Sequence, residues 1–207
     1  MSEIGDIFRR SWQELISDYA RDAEENAYER KEIADSFPER YWSERDVVAQ
    51  LYCVLVKELK GNDNYIVHVE CPLSSDLFGG EDSTKRQLER IRKRLHKTPR
   101  VNLLINCRSP GGDESRWSPL IAEFKFFFTL GEMNPMTKGR KGQIEKCRKD
   151  LKKLDTIKKC LGADTEVYFC LIDNLPRNHP EEKQTVVDGI NGFEDVNKLI
   201  YFGPMKT

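Results

Sequence analysis

Apolar residues recur every three or four positions in three long stretches of the chain, the spacing that places them on one helix face. The first stretch runs from residue 4 to about residue 36, the second begins at Ser43, and the third runs from about 141 to 161. Ser43 and Asp46 have the form of a capping box, and Gly162 follows the third stretch as a terminator. The pattern therefore predicts three amphipathic helices that pack on a core.

Shorter segments have the composition of β-strands, with β-branched and aromatic residues bounded by proline, glycine or asparagine. They cover residues 65–71, 100–107, 119–128 and 166–173, with a short candidate at 199–202. The fourth segment is apolar at nearly every position, which is typical of a strand covered on both faces. The stretch that follows it is rich in turn residues and predicts no helix.

The order of these elements is helix, strand, strand, strand, helix, strand. Three consecutive strands favour an antiparallel meander, and the long helix after them predicts a crossover to a parallel fourth strand. The fold class is therefore α/β, with a mixed sheet flanked by helices. A length of 207 residues suits a single domain, which we divide into an N-terminal helical extension at 1–42, a core at 43–175 and a C-terminal extension at 176–207.

Composition narrows the range of partners and compartments. The net charge is -1, from 34 basic and 35 acidic side chains, so the chain as a whole does not attract a polyanion. No apolar run approaches the roughly 20 residues of a membrane span, and the first residues lack the pattern of a signal peptide. We therefore expect a cytoplasmic protein with no membrane partner. The six cysteines include no Cys-x-x-Cys pair, which argues against a zinc site and against a disulfide scaffold.

One segment, residues 84–97, is strongly basic and has a thin apolar stripe, which predicts a helix or a helical insertion. It is the best candidate surface for a phosphate backbone. Charge runs are more often solvated helix faces, and Glu81, Asp82 and Glu89 partly cancel this one. The candidate nucleic-acid-binding residues are Lys85, Arg86, Arg92, Lys93, Arg94 and, on the next strand, Arg100.

The most suggestive chemistry lies on the third strand, at Glu123 and Lys125. Side chains alternate across a strand, so these two charges share one face while the apolar residues between and around them share the other. Arg100 and Asn102 of the preceding strand fall on the same side, which predicts an open polar face formed by two adjacent strands. A simple Glu–Lys ion pair at a solvent-facing edge explains the same pattern without any function.

The order of elements, together with the sequence Ile-Ala-Glu123-Phe-Lys125, resembles the PD-(D/E)XK nuclease superfamily. Residues 143–154 are similar to the helix that follows the active-site strand in that superfamily, including Gln143. Glu44 matches an acid of the first core helix, and it lies on that helix's apolar stripe, where an acid also complements the helix dipole. The resemblance implies a restriction-endonuclease-like αβββαβ core over most of the chain, with an extra N-terminal helix.

The resemblance also implies an activity and a set of roles. The chain would be an endonuclease-type hydrolase that cleaves phosphodiester bonds with Mg²⁺ or Mn²⁺, in DNA in preference to RNA. Glu123 and Glu44 would hold the metal, and Lys125 would position or deprotonate water or stabilise charge on the phosphate. Gln143 would orient Lys125 or the phosphate. A homodimer is left open.

The sequence departs from the family pattern at Asn102, where the superfamily usually has an aspartate on the second strand. An amide oxygen can coordinate a metal but brings no charge. A lapse of catalysis, a laboratory substitution, or a carboxylate supplied from Glu70, Asp113 or Glu114 would each account for it. The alternative function is therefore a catalytically lapsed, nuclease-like module that binds a nucleic acid or a protein, and a third is a structural or regulatory domain.

Overall fold

The computed structural model describes residues 2–29, 43–62, 64–74, 77, 82–107, 119–128, 136–174 and 180–203. Within these residues the helices are α1 (Glu3–Glu29), α2 (Glu44–Glu58), α3 (Asp82–Leu95), α4 (Met136–Leu161) and α5 (Pro180–Gly189). The strands are β1 (Tyr65–Pro72), β2 (Arg100–Cys107), β3 (Leu120–Phe128), β4 (Glu166–Asn174) and β5 (Asn197–Phe202). None of the helices in this part of the chain is long and apolar enough to cross a membrane.

All five strands form one sheet in the order β1-β2-β3-β4-β5. The first three strands are antiparallel, and β3, β4 and β5 are parallel to one another. The α4 crossover joins β3 to β4, as a parallel connection requires. The predicted meander, the parallel fourth strand and the α/β class are therefore confirmed.

Each face of the sheet is covered by helices, so the domain has two apolar layers. On one face, α1 and α2 pack against Leu103, Ala122 and Phe124. On the other face, α3, α4 and α5 pack against Leu104 and Ile121. Three aromatic residues of α1 are buried in the first layer: Phe8, Trp12 and Tyr19. The N-terminal helix is therefore part of the common core.

Several element boundaries differ from the prediction. The described part of α1 ends at Glu29, and residues 30–42 lie outside the described residues. The α4 helix begins at Met136, about one turn early, and α5 occupies the stretch for which no helix is predicted. Among the side chains of that stretch that the structure describes, Val186 and Ile190 are the buried apolar ones, which is too thin a pattern to indicate a helix.

The predicted capping box at the start of α2 is wrong in detail. Ser43 is the N-cap, but its side chain makes no capping hydrogen bond to the backbone. Its hydroxyl donates instead to the Asp46 carboxylate, at 2.9 Å. The first turn of α2 thus retains its acidic residues, Glu44 and Asp46, at the positive end of the helix dipole.

Candidate active site

The β2 and β3 strands separate beyond Leu103 and Ala122, the last pair of their ladder on this side. The Asn102 side chain fills the resulting gap, because its Oδ1 accepts a hydrogen bond from the Phe124 backbone N–H at 2.9 Å. Asn102 is 8% exposed, so an unpaired amide there would be costly. The side chain thus replaces a backbone partner at the point where the sheet opens.

Glu123 lies beside this opening and is almost fully buried, with 3% exposure. Its Oε1 is 2.6 Å from Lys153 Nζ of α4, a close ion pair. Burial raises the pKa of the Glu123 carboxyl to about 7, and the neighbouring Asp150 adds to this rise. The ammonium groups of Lys153 and Lys125 oppose the rise in pKa without cancelling it.

Lys125 is held by two carboxylates that come from opposite layers of the fold. Its Nζ lies 3.0 Å from Glu44 Oε2 at the start of α2 and 2.9 Å from Asp150 Oδ2 on α4. It also donates to the Phe124 carbonyl at 3.2 Å. Burial lowers the pKa of Lys125, but the two carboxylates outweigh burial and raise it above the ordinary value. The two carboxylates therefore favour the cationic form of Lys125.

The charged groups alternate in sign along one connected chain. Asp150 links its two halves, since its Oδ2 contacts Lys125 while its Oδ1 is 3.5 Å from Lys153. The order is Glu44, Lys125, Asp150, Lys153, Glu123. These five side chains comprise three carboxylates and two ammonium groups. When all are ionised, the network carries one negative charge in excess, which favours the binding of a further cation.

Glu70 approaches the same opening from β1. Asn102 Nδ2 donates a hydrogen bond to Glu70 Oε1 at 2.8 Å. Glu70 has a φ of 48°, in the left-handed region that non-glycine residues rarely adopt. It falls between the pairs Val69↔Leu103 and Cys71↔Val101 of the β1–β2 ladder, and the Arg100 guanidinium donates to its carbonyl. This backbone conformation is costly and therefore has to be stabilised by its surroundings.

The oxygen atoms around Lys153 Nζ are ligands that suit a hard divalent cation. The carboxylates of Glu123 and Asp150 and the carbonyl of Arg100 surround one position, which Lys153 Nζ fills at 2.6, 3.5 and 3.1 Å. Mg²⁺ is commonly held by one or two carboxylates, with water and substrate phosphate completing its shell. No cluster of three or more His, Cys, Asp or Glu side chains arranged for a metal occurs in the described part of the chain.

The sequence-predicted site residues come together only in part. Glu44, Asn102, Glu123 and Lys125 all border the opening between β2 and β3. Gln143 is half-buried on α4, two turns before Asp150, and no hydrogen bond joins it to Lys125 among the described contacts. Two candidate replacement carboxylates, Asp113 and Glu114, lie outside the described residues.

The predicted open polar face is wrong. The α4 layer covers it, so that Leu104 and Ile121 are fully buried and Asn106 is nearly so. Glu123 and Lys125 are therefore not a solvent-facing edge pair. They do not contact each other as an ion pair, because each takes its partner from a helix.

Asp150 and Lys153 are the two site residues that the sequence-based assignment left out. Asp150 lies one turn from both Cys147 and Leu154, which are fully buried, so it lies on the buried face of α4. An acid on an apolar helix stripe was the signal that selected Glu44, and the same signal was available for Asp150. Lys153 follows at the i+3 position from Asp150, within salt-bridge range.

The basic segment forms α3, and its candidate residues Lys85, Arg86, Arg92, Lys93 and Arg94 are exposed. The first two are engaged locally, because Lys85 pairs with Asp82 at 3.3 Å and Arg86 donates to the Asp82 carbonyl.

A cavity of about 230 Å³ lies between α3 and the start of β2, with Lys85, Arg92, Thr98 and Pro99 among its lining residues. Pro99 immediately precedes Arg100, whose carbonyl faces Lys153. The cavity therefore adjoins the charged site along the chain, and its lining, among the residues that the structure describes, includes none of the residues of that site.

Comparison of the chain with protein-family models, with curated proteins and with solved structures finds no match.

Proposed function

We propose that the chain is a metal-dependent nuclease of the restriction-endonuclease-like class, which hydrolyses phosphodiester bonds in DNA with Mg²⁺ or Mn²⁺. The observation that carries the proposal is that Lys125 contacts carboxylates from two helices while Glu123 pairs with Lys153, at the point where β2 and β3 separate. An antiparallel meander followed by a parallel crossover strand supports the same class. A pair of charges without function would not need this convergence of elements.

The residues divide the chemical work between them. Glu123, Asp150 and the Arg100 carbonyl would hold the ion, which when bound polarises the scissile phosphate and lowers the pKa of water. Lys125 is fixed as a cation by Glu44 and Asp150, so its role is to bind phosphate oxygen and stabilise charge that develops there. Proton abstraction by Lys125, one of the roles implied by the resemblance, does not suit its raised pKa.

Glu70 supplies the carboxylate that is missing from the second strand. Asn102 holds the Glu70 side chain by a 2.8 Å hydrogen bond, so the negative charge sits one side chain away from the expected position. The β1–β2 register places Glu70 opposite Asn102, and its left-handed φ marks the point where the ladder skips this pair. Of the three explanations for an asparagine at position 102, we propose that a carboxylate is supplied from elsewhere.

Exposed cations lie on α3, which packs in the same apolar layer as α4, the helix that carries Asp150 and Lys153. A DNA backbone that follows α3 would run along the face of the sheet on which α4 lies. Electrostatic contacts of this kind position the nucleic acid without reading its sequence. The basic helix therefore supports nucleic acid as the partner.

The test is cleavage of plasmid and single-stranded DNA in Mg²⁺ or Mn²⁺, with and without EDTA. We expect EDTA-sensitive nicking that is lost in Glu123→Gln and Lys125→Met. Lys149→Met is the matched control, since Lys149 lies on α4 and makes an exposed pair with Glu145. Glu70→Gln should also abolish cleavage if Glu70 supplies the missing carboxylate.

Two further variants, Asn102→Asp alone and together with Glu70→Gln, test which strand has to supply the carboxylate. The double variant Glu70→Gln/Asn102→Asp moves the carboxylate back to the second strand and keeps a hydrogen bond between the two side chains, so we expect it to retain activity. The nuclease proposal fails if neither the unaltered chain, Asn102→Asp nor the double variant shows EDTA-sensitive cleavage of either substrate.

A second candidate function is a binding module without catalysis. The observation in its favour is that Lys153 already neutralises Glu123, so the buried carboxylate has a partner without any metal. This function predicts salt-dependent nucleic-acid binding that needs no divalent ion and survives Glu123→Ala and Lys125→Ala. A filter-binding or anisotropy titration in EDTA measures it, and loss of a real cleavage activity in those variants would contradict it.

A further inference from the structure

The environment of Lys153 is that of a bound cation. Its Nζ contacts three oxygens from three elements, which are Glu123 Oε1 on β3 at 2.6 Å, the Arg100 carbonyl on β2 at 3.1 Å and Asp150 Oδ1 on α4 at 3.5 Å. The ammonium donates a hydrogen bond to the Arg100 carbonyl and forms ion pairs with the Glu123 and Asp150 carboxylates. With 17% exposure, the side chain is largely withdrawn from solvent.

A divalent ion held by the same three oxygens would need the same space. The ammonium and the metal ion cannot occupy it together, because two like charges within a few ångströms repel strongly in a site so little exposed to water. Lysine is suited to leave, since its charge is carried on a flexible four-carbon stem with three rotatable donors. Asp150 lies closer to Lys125, at 2.9 Å, than to Lys153, at 3.5 Å, so the carboxylate that both lysines share holds Lys153 less closely.

We propose that Lys153 is a tethered counter-cation, which occupies the cation position between Glu123 and Asp150 and is displaced when a divalent ion binds. The proposal rests on the function proposed above and adds a regulation of the same site. In the resting protein, Lys153 compensates the buried Glu123 carboxylate, which would otherwise be an unpaired charge. The presence of Lys153 weakens metal binding, because each divalent ion that enters has to break the Lys153–Glu123 ion pair.

Displacement also couples the metal to the substrate. Once it leaves the oxygens, the Lys153 ammonium needs a new anionic partner. A backbone phosphate of the bound nucleic acid provides one next to the site. Metal binding and phosphate binding should therefore strengthen each other through Lys153, and this coupling is reciprocal.

The test measures Mn²⁺ affinity directly, by calorimetry or by the electron paramagnetic resonance signal of free Mn²⁺, in the unaltered chain and in Lys153→Met. We expect Lys153→Met to bind Mn²⁺ about tenfold or more tightly, because the competing cation is gone. Lys149→Met should keep the affinity of the unaltered chain. Equal or weaker Mn²⁺ binding by Lys153→Met, or no Mn²⁺ binding by any form, would overturn the proposal.

Folding provides a second readout. Without metal, Lys153→Met should unfold at a lower temperature than the unaltered chain, and Mn²⁺ should raise its Tm by more than it raises that of the unaltered chain. If Lys153→Met does not fold, Lys153→Gln removes the charge while keeping hydrogen-bond donors, and the same change in Mn²⁺ affinity is expected. An equal Tm rise in both proteins contradicts the exchange.

Failure of this inference can be told apart from failure of the proposed function. Tighter Mn²⁺ binding by Lys153→Met, together with no DNA cleavage by the unaltered chain, Asn102→Asp or the double variant, would support the counter-cation proposal and overturn the nuclease proposal. EDTA-sensitive cleavage by the unaltered chain, with equal Mn²⁺ affinities, would support the nuclease and overturn the counter-cation.

Discussion

Asn102 and Glu70 form a matched pair, in which an amide N–H donates to a carboxylate oxygen at 2.8 Å. The same amide accepts the Phe124 backbone N–H through its oxygen at 2.9 Å. The asparagine amide can do both, whereas an ionised aspartate carboxylate accepts but does not donate. The amide at position 102 is thus linked to the acid that faces it.

Asn102→Asp should therefore destabilise the fold by about 1–3 kcal/mol at neutral pH, because it removes the donor and brings two carboxylates together. Adding Glu70→Gln should restore most of the loss, since the new amide can donate to the new carboxylate. Urea unfolding at pH 7.5 measures both. The exposed Asn191→Asp is the control, with an expected change within about 0.5 kcal/mol. Full stability of Asn102→Asp would show that the pair is not coupled.

The raised pKa of Glu123 makes stability depend on pH in a defined window. Below pH 4.5, the ordinary value, the carboxyl is protonated in both states. Between pH 4.5 and about 7 the unfolded chain loses the proton while the folded chain keeps it, so the contribution to stability falls as the pH rises. The loss amounts to about 3 kcal/mol and is complete just above the folded-state pKa.

The measurement is urea unfolding from pH 4.5 to pH 8 in EDTA, for the unaltered chain and for Glu123→Gln. The variant keeps the shape of the side chain and lacks the titration, so the difference between the two proteins should change with pH in the predicted direction. A difference that stays constant over the whole range would rule out the raised pKa.

The basic face of α3 should contribute to nucleic-acid affinity through charge alone. Replacing Arg92, Lys93 and Arg94 together by glutamine should weaken binding to duplex DNA uniformly across sequences. It should also reduce the slope of log K against log salt by up to about 2.7, at about 0.9 per lost phosphate contact. The control replaces Arg10, Lys57 and Lys60, three exposed cations on α1, α2 and the turn after α2, by glutamine. Equal slopes for the two triple variants would exclude α3 as the binding surface.

The cysteines should differ sharply in reactivity. Cys53 is exposed on α2, whereas burial raises the pKa of Cys71 to about 11 and that of Cys147 to about 12. Since the thiolate is the nucleophile, Cys71 should react at least about a hundredfold more slowly than an ordinary exposed thiol. Timed alkylation with peptide mapping tests this, with Cys53→Ser as the control. Rapid native labelling of Cys147 would contradict the packing of α4 on the sheet.

The sequence alone determined the main elements because their patterns are strong and local. Alternation and bounding residues predicted β2 with its observed ends, Arg100 and Cys107. The uniformly apolar β4 was correctly placed under two helical layers, and the stripe of α2 indicated that Glu44 faces inward. These results depend on periodicity within one segment, which needs no knowledge of the partner element.

Tertiary structure alone decided what the site residues touch. Strand alternation placed Glu123 and Lys125 on one face, but only the packing of α4 made that face buried and brought Asp150 and Lys153 to it. The left-handed φ of Glu70 and the end of the β2–β3 ladder depend on cross-strand register, which no single segment carries. Contacts between elements distant in sequence therefore set the charges and pairings at the site, for the physical reason that burial and Coulomb interactions depend on distance in space.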